Sequence, residues 1–323
     1  MKRTALLRLA IGILTATAAT SCFTGIESTP RIGDSDVRRN NAAGTSSEQI
    51  FLSGVVPAKP SEWIPGRSLW RVDDERFSRV LAPGSGTADS YKGRTLAYTS
   101  RGAASSLTGA DATDILLTDI ADGRQFTVRV PVPTAAMDTV SRIEIPFAVE
   151  LSLAARTDSL LRGRELYLLT ADWFDGRGVD VAGLRYVSAR VDSVVPGTYI
   201  YPASVYFTLG DARQAARAGI RPGDKRMVLM SVGGTGAPTR SFDRLFTFTD
   251  PHSRYPQIED EVWELITAGK IRAGMSRDEC RLALGGPNSI DRYPTRGGMK
   301  EIWNYSDGVY LLFDDGFLTT FRQ

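Results

Sequence analysis

The sequence is almost without histidine: His252 is the single one among 323 residues. A multi-histidine zinc site is therefore excluded, because such sites draw several imidazoles or thiolates to one ion. His252 lies in Asp250-Pro251-His252-Ser253-Arg254-Tyr255-Pro256. That loop-like run between two prolines reads as a surface linker over residues 251–257. No serine or cysteine sits in a motif that would give this histidine a nucleophile to activate. Cysteine is as scarce, with only Cys22 and Cys280, so the fold must be held by its core rather than by a disulfide framework. No apolar run approaches the roughly 20 residues that a membrane-crossing helix needs. Charge of one sign is not in excess either. The 39 Lys+Arg face 37 Asp+Glu, so net charge gives no argument for nucleic acid or anionic lipid.

What is present begins at the first residues. Lys2, Arg3 and Arg8 flank a short apolar run ending at Leu14, followed by small residues from Ala16 to Ser21. A positive n-region, a short h-region and a small-residue cleavage zone predict a signal peptide over 1–21. Ala19-Thr20-Ser21-Cys22 resembles the lipobox of bacterial lipoproteins, and Cys22-Phe23-Thr24-Gly25 is similar to the Bacteroides-type form. The resemblance implies export, cleavage before Cys22 and lipidation of its thiol. It also implies an outer-membrane location facing the periplasm. Two or three acyl chains anchor stably where one is marginal. Loss of residues 1–21 removes three basic residues and no acid, which leaves 36 against 37, a formal charge of −1. With Cys22 lipidated, Cys280 has no intrachain partner.

Residues 22–50, rich in Ser, Thr, Gly, Asn and Asp, read as a lipid-anchored flexible tether. From 51 to 250 the chain reads as a β-rich domain, or as two small β modules. Short Val/Ile/Leu/Tyr/Phe runs alternate there with Gly, Pro and Asp punctuation. Predicted strands include Thr95–Thr99, Gln125–Val130, Glu165–Thr170, Leu184–Val191 and Arg244–Thr249. Val149, Leu151 and Leu153 alternate with polar residues and predict a half-buried strand over Ile143–Leu151. Asp122-Gly123 marks a hairpin. Gly-Arg-x-Leu recurs at Gly66, Gly93 and Gly163, with spacings too unequal for a solenoid or propeller. Asp211–Ala218 is the one helix expected in this stretch, N-capped by Asp211.

Residues 258–323 predict an α+β module of order α-α-β-β-β. Ile258, Val262, Leu265 and Ile266 make one apolar stripe. Ser276-Arg277-Asp278-Glu279 is a capping box, and Met275 with Cys280 suits a hydrophobic staple. Gly285-Gly286-Pro287 ends the second helix. Three apolar runs split by Ser306-Asp307-Gly308 and Asp314-Asp315-Gly316 predict a three-stranded antiparallel meander. Gly274-Met275-Ser276, Glu279 and Leu284-Gly285-Gly286-Pro287 resemble the G-M-[ST]…L-G-x-P stretch of the SmpA/OmlA family. Trp303-x-Tyr305, Phe313 and Gly316-Phe317-Leu318 are similar to that family's ending. The resemblance covers about a fifth of the chain. It implies a small unit of the kind also seen in β-lactamase inhibitor proteins, carried by outer-membrane lipoproteins that bind protein partners.

Two candidate sites remain. Asp172, Asp175 and Asp180 lie on a Gly-containing turn that could offer oxygen ligands to calcium, although a terminal bidentate glutamate is missing. Trp63 and Trp70 could stack on sugar rings, although such aromatics more often fill a core. The sequence therefore predicts a mainly β, non-enzymatic lipoprotein. Its expected role is scaffolding or partner binding at the outer membrane, in envelope or outer-membrane protein assembly. The alternative is glycan or small-ligand binding by the β-rich domain. No cofactor and no nucleic acid are expected.

Overall fold

The computed structural model describes residues 46–106, 109–221, 224–234, 238–295 and 298–323. The signal peptide, Cys22 and the tether as far as residue 45 lie outside the described residues. The chain is mainly β, and its strands form three antiparallel sheets. Among the described residues no helix is long and apolar enough to cross a membrane.

The first sheet holds β1 (Leu69–Val72), β2 (Thr95–Ser105), β3 (Asp111–Asp119), β4 (Gln125–Val130) and β5 (Ala148–Glu150), in the order β4-β3-β2-β1-β5. Alternation puts Trp70 and Val72, Ile115 and Leu117, and Phe126 and Val128 into one buried cluster. The hairpin at Asp122-Gly123 joins β3 to β4, as its turn chemistry predicts. The Gly-Arg-x-Leu repeat has a local cause: Gly66, Gly93 and Gly163 all have positive φ, at 74°, 87° and 77°. Each turns the chain into the strand that follows, in a conformation that costs other residues energy.

The second sheet holds β6 (Glu165–Leu168), β7 (Asp172–Asp175), β8 (Asp180–Ala182), β9 (Val187–Pro196), β10 (Ala203–Leu209), β11 (Arg226–Met230) and β12 (Phe246–Thr247). Its order is β12-β6-β9-β10-β11-β7-β8. Its inner face carries Leu166, Leu168, Val187, Ala189, Val205 and Val228. Helices cover that face at places the sequence did not announce. Ser47–Phe51 is α1, not the end of a flexible tether. Ser46 accepts from the Gln49 backbone N–H, and Glu48 accepts from Thr247 Oγ1 at 2.9 Å. Leu151–Leu161 is α2, not the end of a strand. Its buried residues Leu153, Ala154, Thr157 and Leu161 follow helical spacing, and the alternation read at Val149, Leu151 and Leu153 was fortuitous. The predicted helix after Asp211 is α3 (Ala212–Arg217), with Asp211 as its N-cap. The predicted strand over Arg244–Thr249 begins instead as α4 (Phe242–Leu245), leaving only Phe246 and Thr247 as strand.

The third sheet follows α5 (Asp260–Thr267) and α6 (Arg277–Leu284). It has four strands where three were expected: β13 (Ser289–Thr295), β14 (Gly298–Asn304), β15 (Tyr310–Asp314) and β16 (Phe317–Arg322). The extra strand β13 is an edge, carries Pro294, and has almost no buried side chain, so it offers no apolar alternation to read. The two helices close one face of this sheet over Trp303, Leu311, Phe313 and Leu318.

Candidate functional site

The residues of the capping-box and turn motifs between 274 and 318 gather around this last core. Ser276 Oγ accepts from the Glu279 N–H, and the Glu279 carboxylate accepts from the Ser276 N–H at 2.6 Å. Met275 and Cys280 are buried at the staple positions. Burial pushes the Cys280 thiol up to about 12, so it serves as a small apolar side chain rather than a nucleophile. Gly274 has φ 87° and donates from its N–H to Leu318 O at 2.7 Å. Gly285, with φ 83°, caps α6, and its carbonyl accepts from Tyr305 Oη at 3.0 Å. Pro287 follows this cap and is half-buried. Trp303 packs on Phe313 at 4.7 Å and donates to Glu301 at 2.9 Å. Gly316, with φ 92°, forms the turn between β15 and β16. These positions explain how the unit folds.

Among the described residues no helix covers the opposite face of this sheet. Register places Tyr293, Lys300, Asp314 and Phe317 in one cross-strand row, and Asp291, Ile302, Leu312 and Thr320 in the next. Tyr293 is 52% exposed and Phe317 58%, and Tyr310 on the same face is also exposed. The Lys300–Asp314 ion pair, at 3.6 Å, therefore stands between the two exposed aromatics of the first row, and Ile302 and Leu312 lie half-buried in the next.

The other candidates resolve differently. Asp172, Asp175 and Asp180 are not gathered. Asp175 accepts from the backbone N–H groups of Arg177 and Val179 and pairs with the Arg177 guanidinium. Asp172 faces Arg240 at 3.8 Å, and Asp180 is exposed on β8. The turn is closed by its own Asp and Arg. Among the described residues no group of three or more His, Cys, Asp or Glu could hold a metal ion. Trp63 and Trp70 are buried against each other at 4.9 Å and offer no face to a sugar.

His252 is not a surface linker residue. It sits in a short 3-10 turn, Pro251–Arg254, stacks on Trp263 at 4.4 Å with 10° between the planes, and approaches Ile258 O with Nε2 at 3.3 Å. This packing forms one wall of an open cleft of about 460 Å³ over the outer face of the second sheet. The floor is built from β6 and β9: Glu165 stands opposite Arg190, and Tyr167 opposite Ser188. Asp211 and Gln214 line one side, Asp250 and Trp263 the other. Burial raises the Tyr167 phenol, and the carboxylates of Asp250 and Glu165 add to the shift. The last unit docks beside this cleft. Arg185 N–H donates to Thr267 O at 2.9 Å, Tyr186 Oη donates to Leu282 O at 3.1 Å, and Arg217 pairs with Glu264 at 2.7 Å. The sequence shows period-2 polarity in β6 and β9, but it does not reveal which polar face is roofed. The arrangement can hold charged and hydrogen-bonding groups; His252 has its ring stacked and one nitrogen engaged.

No known family matches the chain, and neither a curated protein nor a solved structure matches it.

Proposed function

We propose that this chain is a non-enzymatic lipoprotein, anchored through Cys22, that binds a protein partner at the outer membrane during envelope or outer-membrane protein assembly. The lipobox-like Ala19-Thr20-Ser21-Cys22 supports the anchor. The SmpA/OmlA-like motifs supported by the capping box and the Trp303–Phe313 core favour a partner-binding unit of that kind. The observation that carries the reading is the open face of the third sheet. Exposed Tyr293, Tyr310 and Phe317 beside Ile302 and Leu312 are the residue types that anchor protein interfaces. Exposed aromatics around the Lys300–Asp314 ion pair make a mixed surface of the kind that protein interfaces use.

The test has two arms. Intact mass and membrane fractionation compare the native protein with Cys22→Ala; acyl mass and outer-membrane sedimentation only in the native protein support the anchor. A photo-crosslinking residue at position 293 or 317, in cells, should trap one discrete envelope protein, while the same probe at buried position 313 should trap none. A chain that is unmodified, soluble and uncrosslinked at 293 and 317 overturns the proposal.

A further inference from the structure

Three open sheets have six edges, and among the described residues five of them are closed or short. The backbone of residues 82–86 runs along β4, where Ala82 N–H donates to Thr127 O at 2.7 Å and Gly86 N–H to Gln125 O at 3.2 Å. Residues 274–276 run along β16, where Gly274 N–H donates to Leu318 O at 2.7 Å and Leu318 N–H to Met275 O at 2.8 Å. β5 and β8 have three residues each, and β12 has two. β13 is the exception, seven residues long and paired on one side only. Unpaired edges of this kind are ready to add a strand.

Register fixes which groups of β13 point outward. Asp315 N–H donates to Met299 O at 3.0 Å, so Met299, Glu301 and Trp303 bond to β15, while Lys300, Ile302 and Asn304 bond to β13. The partners of these three are Tyr293, Asp291 and Ser289. The N–H and C=O of Ile290 and Arg292 and the C=O of Pro294 therefore face away from the sheet, without a partner among the described residues. Pro294 fits this parity, because it has no N–H to give to β14. Donors and acceptors on every second residue of a strand are matched by another extended backbone. A second copy of β13 is a poor match. Its full-length antiparallel pairing centres on Arg292 and sets that residue opposite itself, and like charges there destabilise a sheet. We infer that an extended segment of the protein partner adds to β13 as a fifth strand, with an acidic residue opposite Arg292 and apolar residues opposite Ile290 and Pro294. Arg292 Nε is held by Glu301 at 3.1 Å, and its Nη groups remain for that acid. The inference rests on the reading of this sheet as the partner-binding unit and names how the partner is held.

The probe is the peptide acetyl-Lys-Val-Thr-Glu-Thr-Val-Lys-amide, beside a control with proline at both valines, added to the full chain. Amide hydrogen exchange is read residue by residue. Near-saturating peptide should slow the Ile290 and Arg292 amides about tenfold or more, and far more than those of Asp291 and Tyr293, which β14 already holds. Arg292→Ala and Arg292→Pro both lose the guanidinium, but only the second loses the outward N–H. Arg292→Pro should therefore bind the peptide about tenfold more weakly than Arg292→Ala. In cells it should also lose the crosslink from position 293 that Arg292→Ala keeps. No slowing at millimolar peptide, equal slowing by the proline control, or equal binding by the two variants would overturn the inference. Crosslinks at 293 and 317 that survive Arg292→Pro would overturn it and leave the reading of the open face standing. Their absence in the native chain would overturn both.

Discussion

The second and third sheets each bury one face under helices and leave the other for separate use, and they use it in opposite ways. The free face of the second sheet is polar and floors an open cleft flanked by α3, α5 and the His252 turn. The free face of the third is partly apolar and bare. A flanked polar floor and a bare face with exposed aromatics are two different uses of a sheet's free side. The difference teaches that the strands' alternation states which residues share a face, while the neighbouring elements decide what that face is for.

The comparison treats the two regions as parts of one folded body, and the largest expected effect tests that. Trp173 is fully buried in the second sheet, packs on Phe207 at 5.1 Å and donates to Thr170 O. Trp173→Ala should cost about 3–5 kcal/mol by chemical denaturation, the range for deleting a buried aromatic. The third sheet should unfold in the same transition, since α5 and α6 dock on Arg185 and Tyr186. A separate late transition reported by Trp303 would break the comparison into two independent domains. Gly183 gives a complementary probe, because any side chain there would overlap the Trp173 ring.

Next in size is Glu301, a carboxylate buried in the third sheet between Arg277 at 3.2 Å, Arg292 at 3.1 Å and the Trp303 indole. Glu301→Ala leaves the Trp303 N–H without its acceptor and should cost about 2 kcal/mol. Burial alone would raise the Glu301 carboxyl; the bonds from Trp303 and Arg292 and the charge of Arg277 outweigh it and hold the group below its ordinary value. A depressed carboxyl stabilises the fold above the unfolded value of about 4.3 and loses that contribution as pH falls through the folded value. The native chain should therefore lose stability on acidification below about pH 4 more steeply than Glu301→Gln. Equal slopes would show that the arginines do not hold this carboxylate.

Ser276→Ala should cost about 1 kcal/mol, the usual worth of an N-cap, and the same change at Ser46 should cost less. Both residues cap with a partner reaching back, Glu279 and Gln49. The first helix, however, is only Ser47–Phe51 and is also held by Glu48 on Thr247. Thermal melts of the two single variants rank the caps.

These two caps also mark what the sequence could say. Ser276-x-x-Glu279 preceded an apolar stripe and was legible at once. Ser46-x-x-Gln49 has the same form but no stripe after it, because its helix has no buried residue and docks through Glu48 and Phe51. In the same way β4 was legible from alternation, whereas β13 was hidden because an edge strand with Pro294 buries nothing. The helix α2 was misread because Val149, Leu151 and Leu153 fit a strand as well as a helix over so few residues. The cleft was least legible. Glu165, Ser188, Arg190 and Gln214 are distant in sequence, and only the docking of α3 and α5 brings them to one place.

The smallest expected effect on stability sharpens the comparison most. Phe317 is 58% exposed in the row with Tyr293, Lys300 and Asp314. Phe317→Ser removes a side chain that the folded chain buries only in part, so stability should fall by at most about 1 kcal/mol. If the bare face is an interface, the same substitution should cost partner capture heavily, since a central aromatic anchor is worth about 2 kcal/mol or more on binding. A variant that is stable and loses the crosslinked partner assigns partner binding to the bare face. A variant that unfolds instead would show that the face is already part of the core.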